Sequence, residues 1–167
     1  MLLETERLLV VACPAGFVDA LPDRDVAGKV VDATVPEGFP DEELAGLLPL
    51  YRRWLQEDPG VLGFGPWLVV TRDGRELIGS AGFLGRPGED GTIELGYSIV
   101  PDHRSRGFAS EAAGALVEWA LSQPGVDRVV AGCDPSNAAS IRVLERSGMW
   151  PRGTRDGELF WEVERAT

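Results

Sequence analysis

Apolar residues change their period along this chain, and each change predicts an element. Arg7-Leu8-Leu9-Val10-Val11-Ala12 is a short apolar run stopped by Cys13-Pro14, which predicts a first strand. Residues 15–58 follow a helical pattern broken by Pro22, Pro36 and Pro40. Asp41-Glu42-Glu43 forms an acidic first turn, favoured by the partial positive charge of a helix start. Leu44, Leu47, Leu48, Tyr51, Trp54 and Leu55 then recur at helical spacing until Pro59-Gly60. Pro49 lies inside that run and lacks the N–H a helix interior uses, so a kink or split is expected there.

From residue 66 the period shortens. Trp67-Leu68-Val69-Val70 and Leu77–Leu84 predict two antiparallel strands around the Asp73-Gly74 turn. Residues 85–91 form a polar loop. In Ile93-Glu94-Leu95-Gly96-Tyr97-Ser98-Ile99, large apolar residues alternate with small or polar ones, predicting a third strand. A helix over 109–122 has Ala112, Ala113, Leu116, Val117, Ala120 and Leu121 on one face, and Pro124-Gly125 ends it. Residues 126–133 predict another strand; strand, helix and strand of this length suggest a right-handed parallel unit. Asn137 opens a last helix that closes at Ser147-Gly148, and residues 149–163 suit a hairpin around Arg155-Asp156-Gly157.

Composition narrows the class. The 167-residue length and 44% hydrophobic content suit one mixed domain over residues 1–167 with a full core. No apolar run approaches membrane-spanning length, and Met1–Arg7 lacks a basic segment followed by an apolar one. A cytoplasmic protein without membrane contact is expected. Cys13 and Cys133 are the only cysteines and make neither a metal pattern nor a disulfide framework. A net charge of -11 repels polyanions, so nucleic acid is not an expected partner. The same field favours small cationic ligands such as protonated amines, although acidity also serves solubility alone.

Against that acidic background, His103, Arg104 and Arg106 cluster in the turn between the third strand and its helix. A helix start has about four backbone N–H groups without intrahelical partners. Gly107 permits close approach of a ligand to the backbone, and the arginines match phosphate geometry. Together they predict a phosphate or pyrophosphate site. The alternative is a solvated turn whose arginines pair with nearby carboxylates.

Arg104-Ser105-Arg106-Gly107-Phe108-Ala109 also fits the pattern Arg/Gln-x-x-Gly-x-Gly/Ala. Taken with Asn137–Gly148, Glu94-Leu95-Gly96-Tyr97 and Leu3–Leu8, the chain resembles the GNAT superfamily of acyl-CoA N-acyltransferases, and within it the ribosomal-protein-alanine acetyltransferase branch. The resemblance implies an α/β (α+β) fold with a central mixed, mainly antiparallel, splayed sheet flanked by helices. It implies acetyl-CoA as acyl donor, with no metal, and an amine acceptor that is a protein N-terminus or a small cationic molecule. The pyrophosphate would lie on the turn formed by Arg104, Ser105, Arg106, Gly107, Phe108, Ala109 and Ser110. The pantetheine arm would pair with backbone at Ile99 and Val100, Asn137 would hydrogen-bond it, and Ser140 would lie near the sulfur. Relatives are commonly dimers, so the resemblance is compatible with a homodimer without implying one.

Amine acylation by a thioester needs a neutral amine, a stabilised oxyanion and a proton for the leaving thiolate. Glu94 is the candidate base, with an exposed strand carboxylate facing an arginine as the alternative. The N–H of Val100 or a neighbour is the candidate oxyanion donor. Ser140 is the candidate for thiolate departure; the alternative is a first-turn serine bonded locally to backbone. The phenol that many superfamily members place on the last helix is replaced by Leu144, and Tyr97, sharing a face with Leu95 and Ile99, is assigned to the core. Glu111 suits a first-turn carboxylate. Two competing classes remain: a non-catalytic acyl-CoA sensor on this fold, and a thiol hydrolase pairing Cys133 with His103. For the hydrolase the test is Cys133→Ser, whose amine-acetylation rate is expected to equal that of the unsubstituted protein.

Overall fold

The structure is a computed structural model covering Met1–Thr167. Strands β1 (Leu2–Glu4), β2 (Leu8–Ala12), β3 (Pro66–Thr71), β4 (Leu77–Phe83), β5 (Thr92–Ile99), β6 (Arg128–Cys133), β7 (Trp150–Arg155) and β8 (Glu158–Glu164) form one sheet. Their order is β1-β2-β3-β4-β5-β6-β8-β7, and every neighbouring pair is antiparallel except β5 and β6. Helices α1 (Ala15–Ala20), α2 (Arg24–Val31) and α3 (Glu42–Glu57) fill the connection from β2 to β3. Helix α4 (Phe108–Ser122) is the crossover that a parallel pair requires, and α5 (Ala138–Arg146) lies beside it against β6.

Local chemistry accounts for most of these elements. In β5, Ile93, Leu95 and Ile99 are buried while Glu94 and Gly96 are exposed, following the two-residue period of the sequence. Strand β3 has no exposed residue from Pro66 to Val70, in keeping with its unbroken apolar run. Asp156 and Gly157 both take positive φ between β7 and β8, the geometry of a tight hairpin turn. Leu116, Ala112, Ala113 and Ala120 are fully buried where α4 meets the sheet.

Two features depart from the sequence pattern. Helix α3 runs unbroken through Pro49. Pro49 and Ala45 are both exposed, so the carbonyl that loses its helical partner faces solvent and the helix need not split. Strand β1 was not predicted; it is three residues long, and its pairing of Leu3 with Val10 is visible only once β2 has a sheet to join.

The parallel pair is short. Only Thr92, Ile93 and Glu94 of β5 face Arg128, Val129 and Val130 of β6. Beyond Glu94 each strand continues along its antiparallel neighbour alone, β5 with β4 as far as Ile99 and β6 with β8 as far as Cys133. The sheet is therefore splayed in its middle, at the start of α5.

One polar knot ties the opposite edge of the sheet to α4. The Glu111 carboxylate accepts from Thr5 Oγ1 at 2.5 Å, Arg7 N at 2.7 Å and Arg7 Nε at 2.7 Å. Burial alone would raise the Glu111 pKa, but these donors outweigh it and hold the carboxyl below its usual range. A depressed folded pKa makes its stabilisation complete above the unfolded value of ~4.3 and lost as pH falls through the folded one. Glu111→Gln is expected to cost about 2 kcal/mol at neutral pH, a fall in Tm of roughly 4–8 °C. In thermal melts repeated at decreasing pH, the gap to the unsubstituted protein should close below the ordinary carboxylate range.

Candidate acyl-transfer site

The turn after β5 is built by backbone conformation. Pro101–His103 forms one 3-10 turn, Ser105 takes φ 63° and Gly107 φ 81°, and α4 starts at Phe108. No backbone N–H from Ser105 to Ser110 donates to a protein acceptor, the first such bond being Glu111 N to Gly107 O at 3.1 Å. A run of unclaimed amides at a helix start is an anion cradle. Arg7 buttresses it from outside: Nη1 donates to Arg106 O at 2.8 Å, and the guanidinium lies 4.4 Å from the Phe108 ring centroid.

The two turn arginines are not paired with carboxylates. Neither Arg104 nor Arg106 forms an ion pair, and Arg104 Nε instead donates to Ile99 O at 2.7 Å. His103 is the member of the cluster that does have an acidic partner, with Nε2 3.1 Å from Glu76 Oε2. Positive charge at the turn therefore remains for a ligand.

Between this turn and α5 lies a cavity of about 780 Å³. Ile99, Arg104, Ser105, Gly107, Phe108, Ala109, Ser110, Asn137 and Ser140 all line it. Val100 and Arg106 do not. Val100 N donates to Ile78 O at 2.8 Å and Val100 O accepts from His103 N at 3.0 Å, so neither group is free. Antiparallel alternation then turns the N–H groups of Tyr97 and Ile99 away from β4 toward the gap beside β6. Those two, rather than Val100, are the strand amides that face the cleft. Arg106 meets the turn through backbone alone, its carbonyl being held by Arg7. Asn137 Oδ1 accepts from Ser140 N at 3.0 Å and caps α5, and its amide NH2 makes no protein hydrogen bond.

A second cavity, about 390 Å³, opens on the other side of the splay between the start of α3 and strands β4 and β5. Its charged residues are Asp41, Glu43, Glu94 and Glu158, with no Lys, Arg or His. None of the four forms an ion pair; Glu94 in particular has no arginine partner. Asp41 also caps α3 through Leu44 N at 2.9 Å. Glu158 leans across Gly132, where a Cβ would stand 2.8 Å from Glu158 Oε2.

The two cavities share Tyr97, Ser98 and Ser140. Tyr97 Oη lies 2.6 Å from Ser140 Oγ and 3.3 Å from Ser140 O. This qualifies the assignment of Tyr97 to the core: the half-buried ring packs against the core beside the buried Leu95 and Ile99, as alternation predicts, but its hydroxyl reaches out of the core to Ser140 where the two cavities meet. Leu144 is fully buried. Cys133 is buried too, its thiol pKa pushed up chiefly by desolvation, and His103 is engaged by Glu76, so no thiolate–imidazole pair forms.

Residues absent from the sequence-based site are Tyr97, Arg142 and Arg146 on the cationic side and Asp41, Glu43 and Glu158 on the other. Arg142 and Arg146 were findable: they stand one helical turn apart on the helix that carries Ser140. Nothing local marks Glu158, whose approach to Gly132 depends on the β6–β8 register.

The family description "Acetyltransferase (GNAT) domain" matches residues 22–150. The chain belongs to the GNAT acetyltransferase family. It is 36% identical over 149 residues to the uncharacterized N-acetyltransferase YjdG of Bacillus subtilis, covering 89% of each chain. Its fold is similar to that of a ribosomal-protein-S5-alanine acetyltransferase from Vibrio fischeri, with TM-score 0.71 and 14% identity over 99% of this chain and 97% of that one. It is also similar to the microcin C7 self-immunity acetyltransferase MccE, solved in complex with acetyl-CoA and AMP, with TM-score 0.66 and 11% identity over 96% and 93% of the two chains. The GNAT cradle depends on Gly107, whose positive φ and a would-be Cβ 3.3 Å from Arg7 Nη2 both disfavour a side chain. Gly107→Val is expected to weaken coenzyme A binding by roughly tenfold or more, as measured by isothermal titration calorimetry.

Proposed function

We propose that this GNAT protein transfers an acetyl group from acetyl-CoA to a primary amine by direct attack in a ternary complex. The observation that carries the proposal is the meeting of a cationic cavity and an anionic one at Ser140, through the gap between β5 and β6. The amides of Ser105–Ser110, with Arg104, hold the pyrophosphate, and Arg142 and Arg146 add positive charge on the facing helix. The strand groups of Tyr97 and the N–H of Ile99, turned away from β4, bind an extended amide arm as a further strand, while the Ile99 carbonyl is held by Arg104. Acetyl-CoA supplies the activated acyl group; the protein's residues orient it and manage the protons.

Glu94, exposed, without an ion-pair partner and on the rim of the anionic cavity, takes the proton that the attacking amine must lose. A strand N–H facing the gap, at Tyr97 or Ile99, donates to the developing oxyanion. Ser140 Oγ gives a proton to the leaving thiolate. Asp41, Glu43, Glu94 and Glu158 favour an acceptor bearing positive charge, either a small cationic amine or a protein N-terminus near basic residues. A protein acceptor draws some support from the structural similarity to an enzyme named for ribosomal protein S5.

The test is transfer of labelled acetyl from acetyl-CoA to a pooled panel of alanine- and serine-starting peptides, amino acids, polyamines and aminoglycosides, read by mass spectrometry. One labelled product class, cationic at neutral pH, is the expected result. No product while acetyl-CoA is shown bound in the same sample would replace the transferase with a non-catalytic acyl-CoA sensor. With the acceptor in hand, Ser140→Ala should lower kcat by roughly a hundredfold and leave the KM for acetyl-CoA within about twofold.

A further inference from the structure

We propose that Tyr97 is a positioning residue for thiolate departure: its phenol donates to Ser140 Oγ and so directs the serine's own proton into the junction of the two cavities. The inference rests on the acetyl-transfer function proposed above and extends it to a residue outside the expected site.

The hydrogen bonds around Ser140 leave this arrangement little freedom. A serine in the first turn of a helix commonly bonds to nearby backbone. Here the cap on Ser140 N is provided by Asn137, and the only protein partner of Ser140 Oγ is Tyr97 Oη at 2.6 Å. Each hydroxyl carries one proton. With the phenol's proton on Ser140 Oγ, the serine proton has no protein acceptor and is available to a group in the junction. The competing contact, Tyr97 Oη to Ser140 O, is longer at 3.3 Å. Burial raises the phenol pKa, with the Ser140 hydrogen bond opposing it, so Tyr97 keeps its proton at neutral pH and has one to donate to Ser140 Oγ.

No other phenol is placed for this task. The chain has two tyrosines, and Tyr51 is buried with its hydroxyl donating to Cys13 O at 2.7 Å. Leu144 gives α5 no polar tip. Tyr97 reaches Ser140 from the opposite wall, across the gap that the splay leaves open.

The step balances as follows. The amine nitrogen bonds to the thioester carbon, the C–S bond breaks, and the electron pair leaves with sulfur. Sulfur takes the proton of Ser140 Oγ, and the serine oxygen takes the phenol proton in the same movement. Glu94 takes the proton shed by the acylated nitrogen and returns it through solvent in the cavity to Tyr97, so the carboxylate is regenerated as well. Net, amine and acetyl thioester become amide and thiol, with both hydroxyls regenerated.

Tyr97→Phe removes the oxygen and keeps the ring. It should lower kcat roughly tenfold, the worth of one such hydrogen bond, with the KM for acetyl-CoA and the calorimetric Kd for coenzyme A within about twofold. Because the phenol acts through the serine, the double variant Tyr97→Phe/Ser140→Ala should be no slower than Ser140→Ala alone. Melting curves confirm that each variant is folded. Losses that multiply in the double variant, a matching rise in KM and Kd, or an unchanged kcat in Tyr97→Phe would each overturn the role of Tyr97. Wild-type turnover in Ser140→Ala would instead overturn the role proposed for Ser140, and the role of Tyr97 with it. The single variants therefore tell the two failures apart.

Discussion

Three residue pairs join β5 to β6, and the site depends on the pairing stopping there. Each strand is committed along its length to an antiparallel neighbour, β5 to β4 and β6 to β8. Two half-sheets that each keep their own twist diverge once nothing fastens them together. The divergence leaves the backbone groups of Tyr97 and Ile99 on one wall and the start of α5 on the other, an arrangement a continuous sheet would forbid. Unpaired strand groups are costly unless water or a ligand meets them. In the proposed transfer an extended amide arm meets them.

The gap also needs fixed walls, and a second constraint provides one. Glu111 gathers Thr5 and Arg7 from the segment joining β1 and β2, and Arg7 passes on to the Arg106 carbonyl and the Phe108 ring. Outside atoms thus hold the carbonyl side of the turn, while the amide side is left open. Charged hydrogen bonds within a partly buried knot are worth more than the same pair in solvent. The residue that looked like a simple first-turn carboxylate is the hub joining the sheet edge to the cradle.

What the sequence made legible was local. The alternation in β5, the proline and glycine bounding the turn, the apolar face of α4 and the Asn137 cap are each encoded within a few residues, and each stands where the pattern put it. What it hid depends on pairing between distant segments. The availability of a strand N–H is decided by register, so Val100, already bonded to Ile78, could not be told from Ile99 beforehand. Alternation put the Tyr97 ring on the buried face correctly, but that its hydroxyl meets Ser140 depends on where α5 starts beside the departing β6. Glu158 becomes a wall of the anionic cavity only because β8 lies beside β6 with Gly132 leaving room for it.

Charge is partitioned across the gap more sharply than a net value of -11 implies. Arg104, Arg142 and Arg146 stand without ion-pair partners around one cavity, and four unpaired carboxylates stand around the other. In the proposed transfer the anionic side has a double effect. The field that gathers an ammonium also stabilises its charged form, which is not nucleophilic. Attraction alone would therefore slow the chemistry, and a base must stand where the cation arrives. Glu94 meets that requirement, being both a source of the field and the residue at which β5 and β6 separate. In the proposed transfer, Glu94 placed there draws in the amine and receives its proton at the mouth of the gap leading to Ser140.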